Sequence, residues 1–218
     1  MTDFDFLVEH VKESIIMSDS NISGISKEII DMPGMSGTKT RHLYNNICNL
    51  SKDYTYFEVG TWLGSSFISA NYNNQINSIA CDNWAEFGGS KEQFLKNFEN
   101  LCSGRELKFI EKDCFNIDQN DLTFDSIDIY LYDGCHKYTS HKSAITHFSK
   151  FLKKYSIVII DDWRSDGDWS SVENGTYDGF YESKLEIIHV EQRFSKQEHD
   201  GAYNYWNGVG IFVCEKKV

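Results

Sequence analysis

The sequence predicts an α/β fold, a seven-stranded and mostly parallel sheet with helices on both faces. Short apolar segments rich in β-branched and aromatic residues recur along the chain, and most of them end in an acidic residue or a glycine. Between the first five, apolar residues follow the spacing of amphipathic helices. Strands buried on both faces that alternate with helices indicate a parallel sheet. The predicted strands are 54–60, 76–82, 107–113, 126–134, 156–162, 185–192 and 208–215.

Three helices are predicted between these strands. One covers 65–72, and the other two are stripes at helical spacing: Lys91, Phe94, Leu95, Phe98 and Leu101, then Ala144, Ile145, Phe148 and Leu152. The last two strands are joined by a glycine-containing stretch, 197–208, which would let the final strand insert antiparallel. We expect residues 1–50 to form an N-terminal helical cap or lid over one end of the sheet, and 51–218 to form the main domain.

Composition narrows the classes of function. The 218 residues carry a formal net charge of −12, which argues against a nucleic-acid partner because phosphate neutralisation needs clustered Lys and Arg. No apolar run reaches the length of a membrane span, and the acidic N-terminus differs from a secretory signal. Six dispersed cysteines without a CxxC pair suggest reduced thiols. We expect a cytoplasmic protein that acts on a small molecule, with a homodimer left open.

Acidic residues stand at the carboxyl ends of all five parallel strands. In an open parallel sheet this edge binds ligands, next to the first strand. At any single position the acid could instead cap the following helix. Capping does not require an acid at every strand end, so the series favours a binding site. The acids are Glu58, Asp82, Asp113, Asp133 and the pair Asp161 and Asp162.

The turn after the first strand indicates the ligand. It reads Gly60-Thr61-Trp62-Leu63-Gly64 and lacks the middle glycine that a dinucleotide fingerprint needs near the pyrophosphate. Glu58 at this turn would repel a phosphate and attract a cation. Asp82, at the end of the second strand, is placed to accept hydrogen bonds from ribose hydroxyls. A nucleoside with a positive centre and no phosphate fits these features, and S-adenosylmethionine is such a molecule.

Here the sequence resembles the class I S-adenosylmethionine-dependent methyltransferases. The resemblance lies in E-V-G-T-W-L-G-S-S (58–66), CDNW (81–84), EKDCF (111–115) and YDGCH (132–136). It implies a Rossmann-like methyltransferase fold, a seven-stranded mostly parallel sheet with an antiparallel last strand. It also implies a set of cofactor contacts: Glu58, Gly60, Thr61, Trp62, Gly64, Ser65, Ser66, Asp82, Asn83, Trp84, Asp113, Cys114, Phe115 and Asp133.

A narrower resemblance concerns DGCHKY (133–138) and VIIDDW (158–163). These segments resemble the small-molecule O-methyltransferases of the macrocin and related sugar-modifying group, from which the chain departs at Cys135 and His136. The resemblance implies that Asp133, Asp161 and Asp162 hold a divalent cation. Three carboxylates plus waters suit Mg²⁺, which would lower the pKa of an acceptor hydroxyl.

Other residues add candidate roles. Asp133 and His136 are the candidate catalytic residues; His136 could be a general base, or it could cap or pack the fourth helix. Arg41 and His42 could grip an acidic group of cofactor or substrate, or lie on an exposed helix face. Trp163 is a tentative substrate contact, in a loop over the site.

The function expected from all of these features is O-methylation of a small-molecule hydroxyl on a sugar or related metabolite. Two alternatives are a non-catalytic S-adenosylmethionine-binding module and a Rossmann-type nucleotide-binding enzyme. Substrate selection is expected to depend on residues 1–50 and on the loops 163–183 and 193–207.

Overall fold

A single seven-stranded sheet organises the chain. A computed structural model describes residues 3–88, 91–163, 170–194 and 204–217. The strands are β1 (Thr55–Val59), β2 (Asn77–Cys81), β3 (Phe109–Ile110), β4 (Ile127–Tyr132), β5 (Leu152–Asp161), β6 (Leu185–Phe194) and β7 (Gly208–Lys216). The helices are α1 (Asp3–Asp19), α2 (Lys27–Asp31), α3 (Thr38–Ile47), α4 (Ser65–Asn71), α5 (Lys91–Leu101), α6 (Tyr138–Phe148) and α7 (Ser170–Glu182).

The strand order β3-β2-β1-β4-β5-β7-β6 confirms the predicted fold class. Strands β1 to β5 pair in parallel, whereas β7 inserts antiparallel between β5 and β6. The prediction of an antiparallel last strand is therefore confirmed. From β1 the chain proceeds to β2 on one side, and β4 adds on the other side. This switch of direction opens a crevice at the carboxyl ends of β1 and β4.

Two element boundaries differ from the sequence prediction. Strand β3 has only two residues, where seven residues were expected to be extended. Leu152, expected in the helical stripe with Phe148, instead begins β5 after a 3-10 turn at Ser149–Phe151. Leu152 pairs there with Ile127 across a bulge, so a long-range strand contact overrides the local helical spacing.

Each face of the sheet packs its own apolar cluster. Tyr56 packs with the helices of residues 3–47 and with α4 and α5, whereas the adjacent Phe57 packs with α6 and α7. This alternation follows from the two-residue period of a strand. The helices of residues 3–47 thus share a core with the sheet, and their action as a lid stays a prediction. Among the described residues, no helix is both long and apolar enough to cross a membrane.

Candidate functional site

The turn after β1 depends on two glycines with left-handed backbone. Gly60 has φ +89°, and a Cβ there would lie 1.7 Å from the Asp133 carbonyl oxygen. Gly64 has φ +91°, and a Cβ there would lie 2.7 Å from the Phe94 ring. Only glycine combines this backbone conformation with such close contacts. The two residues bring the ends of β1 and β4 together and start α4.

Glu58 lies behind this turn. Its side chain has no exposed surface; one carboxylate oxygen accepts a 2.6 Å hydrogen bond from the Ser66 hydroxyl, and the other accepts one from the Tyr56 hydroxyl. Burial is the main reason that the pKa of Glu58 is raised to about 7, and the negative charge of Asp82 adds to it. The carboxylate therefore supports the turn from inside, where the sequence predicted a direct contact with a cationic cofactor.

Asp82 joins the turns that follow β1 and β2. Its two carboxylate oxygens accept hydrogen bonds from the backbone N–H groups of Trp62 at 2.7 Å and Trp84 at 2.6 Å. The Trp84 indole N–H in turn donates to the Trp62 carbonyl at 2.9 Å. A carboxylate oxygen can accept more than one hydrogen bond. Asp82 is half-buried, and its contact with ribose hydroxyls stays a prediction.

Polar atoms without partners also lie at the turn. The Thr61 hydroxyl and the Trp62 indole nitrogen are buried and have no hydrogen-bond partner among the described residues. Buried polar groups are normally paired, so a ligand group here would satisfy both. Ser65, in contrast, accepts a 2.9 Å hydrogen bond from the Ser36 hydroxyl.

At the end of β3 the acidic residue caps the next turn, which is the alternative role given above for the strand-end acids. The exposed Asp113 side chain accepts a 2.9 Å hydrogen bond from the Phe115 N–H and starts a 3-10 turn. Burial raises the pKa of the Cys114 thiol in this turn to about 12, so Cys114 is a neutral thiol. Asn83 is exposed and accepts a hydrogen bond from the Ala85 N–H.

Three side chains converge beyond β4 and β5. One ligand atom from each of Asp133, His136 and Asp162 lies within 4.8 Å of the others. His136 Nε2 lies 2.6 Å from Asp162 Oδ2, and the Asn207 amide donates to the other oxygen of Asp162 at 2.6 Å. The Ser171 hydroxyl donates to the His136 carbonyl at 3.1 Å. We call Asp133, His136 and Asp162 the acidic triad.

The carboxylates here perturb one another. Burial and the charge of Asp162 raise the pKa of Asp161 to about 8, and one Asp161 oxygen has no hydrogen-bond partner in the described part of the chain. Burial and the charges of Asp161 and Asp162 raise the pKa of Asp133 well above its usual range. Burial lowers the pKa of His136, but the hydrogen bond and charge of Asp162 outweigh it, so that pKa is raised. A cation would relieve this repulsion.

Metal binding stays a prediction, and the residues that the structure brings together differ in part from the predicted ligands. Asp133 and Asp162 lie together as predicted, but His136 completes the triad, and Asp161 is buried beside it. Tyr44 of α3, which the sequence did not single out, is fully buried close to Asp161. The structure therefore brings this tyrosine from α3 to the acidic group.

Arg41 and His42 pack inside the protein, which corrects the prediction for α3. Arg41 is 3% exposed, and its guanidinium donates to several backbone carbonyls within 29–36, at Ile29, Ile30, Met32 and Ser36. His42 is buried and its Nδ1 lies 2.8 Å from the Ser23 hydroxyl. Both side chains fix the segment before α3, so neither an exposed face nor a free anion-binding group results.

Trp163 also requires a correction. It has no exposed surface, and its ring packs edge-on against Phe212 and Tyr177, with centroids 5.4 and 5.9 Å away. A Cβ at Gly210 would lie 2.8 Å from that ring. Trp163 therefore fills the core under β7, where no substrate reaches it.

A cleft of about 700 Å³ opens beside the triad. One wall is Glu86 and Phe87 from the loop after β2, which no sequence motif marked. The other wall is the segment 134–138, which contains His136, and Ser171 of α7 also lines the cleft. The loop positions 164–169 and 195–203, predicted to shape the substrate pocket, lie outside the described residues.

Comparison with known proteins gives a family match over part of the chain. Residues 57–163 match a family model described as a methyltransferase domain. The chain is similar to the uncharacterised protein R132 of Acanthamoeba polyphaga mimivirus, 26% identical over 137 residues, or 59% of this chain and 61% of that one. The chain thus spans under two thirds of the length of this curated relative.

Solved structures share the fold at low identity. The Podospora anserina methyltransferase PaMTH1, bound to S-adenosylhomocysteine, aligns with a TM-score of 0.57 at 12% identity over 100% of this chain and 89% of that one. A candidate O-methyltransferase from Klebsiella pneumoniae aligns with a TM-score of 0.58 at 10% identity, over 94% and 90%. A candidate rRNA-methylase from Clostridium thermocellum aligns with a TM-score of 0.56 at 9% identity, over 80% and 95%.

The matched segment carries the sequence pattern of a methyltransferase domain, and the sheet has the fold of the S-adenosylhomocysteine-bound methyltransferase structures. More narrowly, residues 57–163 are the part of the chain that carries this family's sequence pattern.

Proposed function

We propose that the protein transfers a methyl group from S-adenosylmethionine to a hydroxyl of a small molecule, a sugar or related metabolite. The observation that carries the proposal is the position of the acidic triad beside the cleft. His136 belongs to both the triad and the cleft wall, so an acceptor in the cleft lies next to a group able to take or hold its proton.

The methyl donor would occupy the turn after β1. The unpartnered Thr61 hydroxyl and Trp62 indole nitrogen offer polar contacts, and Asp82 has remaining capacity for ribose hydroxyls. The sulfonium and ammonium groups of the donor would favour the ionised forms of the neighbouring carboxyl groups, whose pKa values are raised without a cation. Alignment of the acceptor oxygen, methyl carbon and sulfur would supply on the order of 7–11 kcal/mol of the rate enhancement.

The acidic triad fits a divalent cation. Asp133 and Asp162 offer carboxylate oxygens and His136 offers an imidazole nitrogen. Mg²⁺ prefers oxygen ligands, whereas Mn²⁺ fits carboxylate sites and follows Mg²⁺ chemistry; the nitrogen donor favours Mn²⁺ here. A bound cation would lower the pKa of the acceptor hydroxyl. A bound cation would also favour the ionised form of Asp161, which is buried beside the triad.

His136 offers the metal-free alternative. Asp162 binds the imidazole at Nε2 and orients the ring beside the cleft as a general base for the acceptor proton. Because the pKa of His136 is raised, this route needs a pH above that pKa. Activity that rises with pH and does not depend on added divalent cations would indicate this route.

The negative charge of the protein favours a small acceptor over a nucleic acid. The chain has a net charge of −12, and the triad is itself acidic, which opposes binding of a polyanion. The similar structures include a candidate rRNA-methylase, so the comparisons leave an RNA substrate open. Cytoplasmic location, Mg²⁺ use and homodimer formation likewise stay predictions of the sequence.

The test is release of S-adenosylhomocysteine with a panel of hydroxylated metabolites, with and without Mg²⁺ or Mn²⁺. Asp162→Asn should reduce turnover by roughly 100-fold or more, whereas Asp125→Asn, a change at an exposed loop acid, should leave turnover unchanged. Full activity of Asp162→Asn would contradict a catalytic triad. Turnover of an RNA oligonucleotide, with none of the metabolites, would contradict the proposed acceptor class.

A further inference from the structure

Phe87 is held in an unfavourable conformation with its ring exposed. Its side chain is 67% exposed, and its backbone has φ +56°. A bulky residue rarely adopts this left-handed conformation. Strain of this kind persists where the surrounding structure enforces it, often at ligand sites.

A neighbouring residue shows how such strain is normally balanced. Trp84, in the same loop, has φ +48°. Its N–H donates to Asp82, its indole donates to the Trp62 carbonyl, and its ring packs 5.8 Å from the Phe94 ring. Phe87 has no hydrogen bond and no ring contact with another described residue. Contacts among the described residues therefore explain the conformation of Trp84 but not that of Phe87.

The position of Phe87 provides a reason. Phe87 and His136 line the same cleft of about 700 Å³, a volume within the ~300–1,000 Å³ that small-molecule sites occupy. Gly134 on the opposite wall has no side chain, and Tyr132 lies directly beneath it, 2.8 Å from where a Cβ would stand. The space next to Gly134 is thus filled by Tyr132, and the cleft is lined by the exposed Phe87 ring and by the segment that contains His136.

The charged groups of the cleft limit the ligand further. Glu86 and Lys137 are the charged side chains among its described lining residues other than His136. The Tyr138 hydroxyl is already engaged by Asp178. One acid and one base suit a neutral or singly charged ligand, which leaves the Phe87 face as the main recognition surface.

We propose that Phe87 determines acceptor specificity by stacking on a ring of the acceptor, with a ring hydroxyl directed toward His136. This inference rests on the proposed methyl transfer. A pyranose and a phenol both offer a ring face and a hydroxyl, and aromatic side chains contribute through such faces. The exposed Phe87 ring then becomes buried only when the acceptor binds.

The proposal is tested with two ring probes, methyl glucopyranoside and phenol. Each is titrated by saturation-transfer NMR into the full chain, with and without S-adenosylhomocysteine. Phe87→Ala should weaken binding of the recognised probe about 2- to 12-fold, and Phe87→Tyr should retain it because the ring remains. Tyr181→Ala, which removes a 90% exposed aromatic ring on α7, should change nothing and is the matched control.

Each result has one interpretation. The proposal is supported if binding of a ring probe weakens in Phe87→Ala and in neither of the other two variants. The probe affected then shows whether the recognised ring is a sugar or an aromatic. Absence of binding of both probes to the wild type, or equal binding to Phe87→Ala, overturns it. Calorimetry with S-adenosylhomocysteine is independent: failure of that titration overturns the proposed function, whereas a normal titration with no probe contrast overturns only the role of Phe87.

Discussion

Replacing Glu58 with glutamine tests the electrostatics of the turn after β1. The carboxylate is fully buried and its pKa is raised from 4.5 to about 7, first by burial and then by the charge of Asp82. A raised pKa in the folded state means that folding favours the protonated acid. The stability that it contributes is complete below pH 4.5 and is lost as the pH rises through about 7.

The magnitude follows from the size of the shift. At roughly 1.36 kcal/mol per pKa unit, a rise from 4.5 to about 7 corresponds to about 3 kcal/mol, of which about 2 to 3 kcal/mol falls between pH 5 and pH 8. Glutamine keeps the shape and accepts a hydrogen bond but cannot ionise. Between pH 5 and pH 8, Glu58→Gln should therefore gain that amount in free energy of unfolding relative to the wild type.

The assay is urea unfolding of both proteins at pH 5 and pH 8, with the exposed Glu99→Gln of α5 as a control. For a chain of this length the relative change corresponds to roughly 5–10 °C in Tm. A constant difference between Glu58→Gln and wild type at the two pH values would refute the reasoning. So would the same pH response in the Glu99 control.

Three further substitutions test other parts of the site. Gly60→Ala should abolish S-adenosylmethionine binding in calorimetry. It should also lower the free energy of unfolding by about 2–6 kcal/mol, because alanine is strained in the left-handed conformation and its Cβ overlaps Asp133. Normal binding by this variant would contradict the need for glycine. Arg41→Lys should lower unfolding free energy by about 2–4 kcal/mol, because an ammonium cannot reach all the carbonyls; an altered cofactor affinity per folded molecule would contradict a purely structural role. Asp162→Asn should lower the pKa of His136 measured by NMR, and an unchanged pKa would contradict their pairing.

Much of the fold and of the position of the site could be predicted from the sequence. Strand ends, glycines and acids are local features, and the carboxyl edge of a parallel sheet brings them together. The direction in which each side chain points could not be predicted in this way. Glu58 and Asp161 stand at strand ends as predicted, yet both are buried, because helices cover both faces of the sheet and these strand ends are buried throughout.

The errors share one physical cause, contacts between distant segments. The polar stretch of α3 suggested an exposed face, but its polar groups are used in buried hydrogen bonds, such as those of Arg41. Trp163 follows a strand and turns onto Gly210 of β7, a pairing that only the folded sheet creates. The strained backbone of Phe87 has no counterpart in residue type or spacing, so sequence could not mark it.

The central claim, that the turn after β1 holds a methyl donor, is tested most directly by calorimetric titration of S-adenosylmethionine into the full chain, with NAD titrated in parallel. The account predicts saturable one-to-one binding of S-adenosylmethionine, weakened by Asp82→Ala, and no binding of NAD. Binding of NAD with none of S-adenosylmethionine would contradict it.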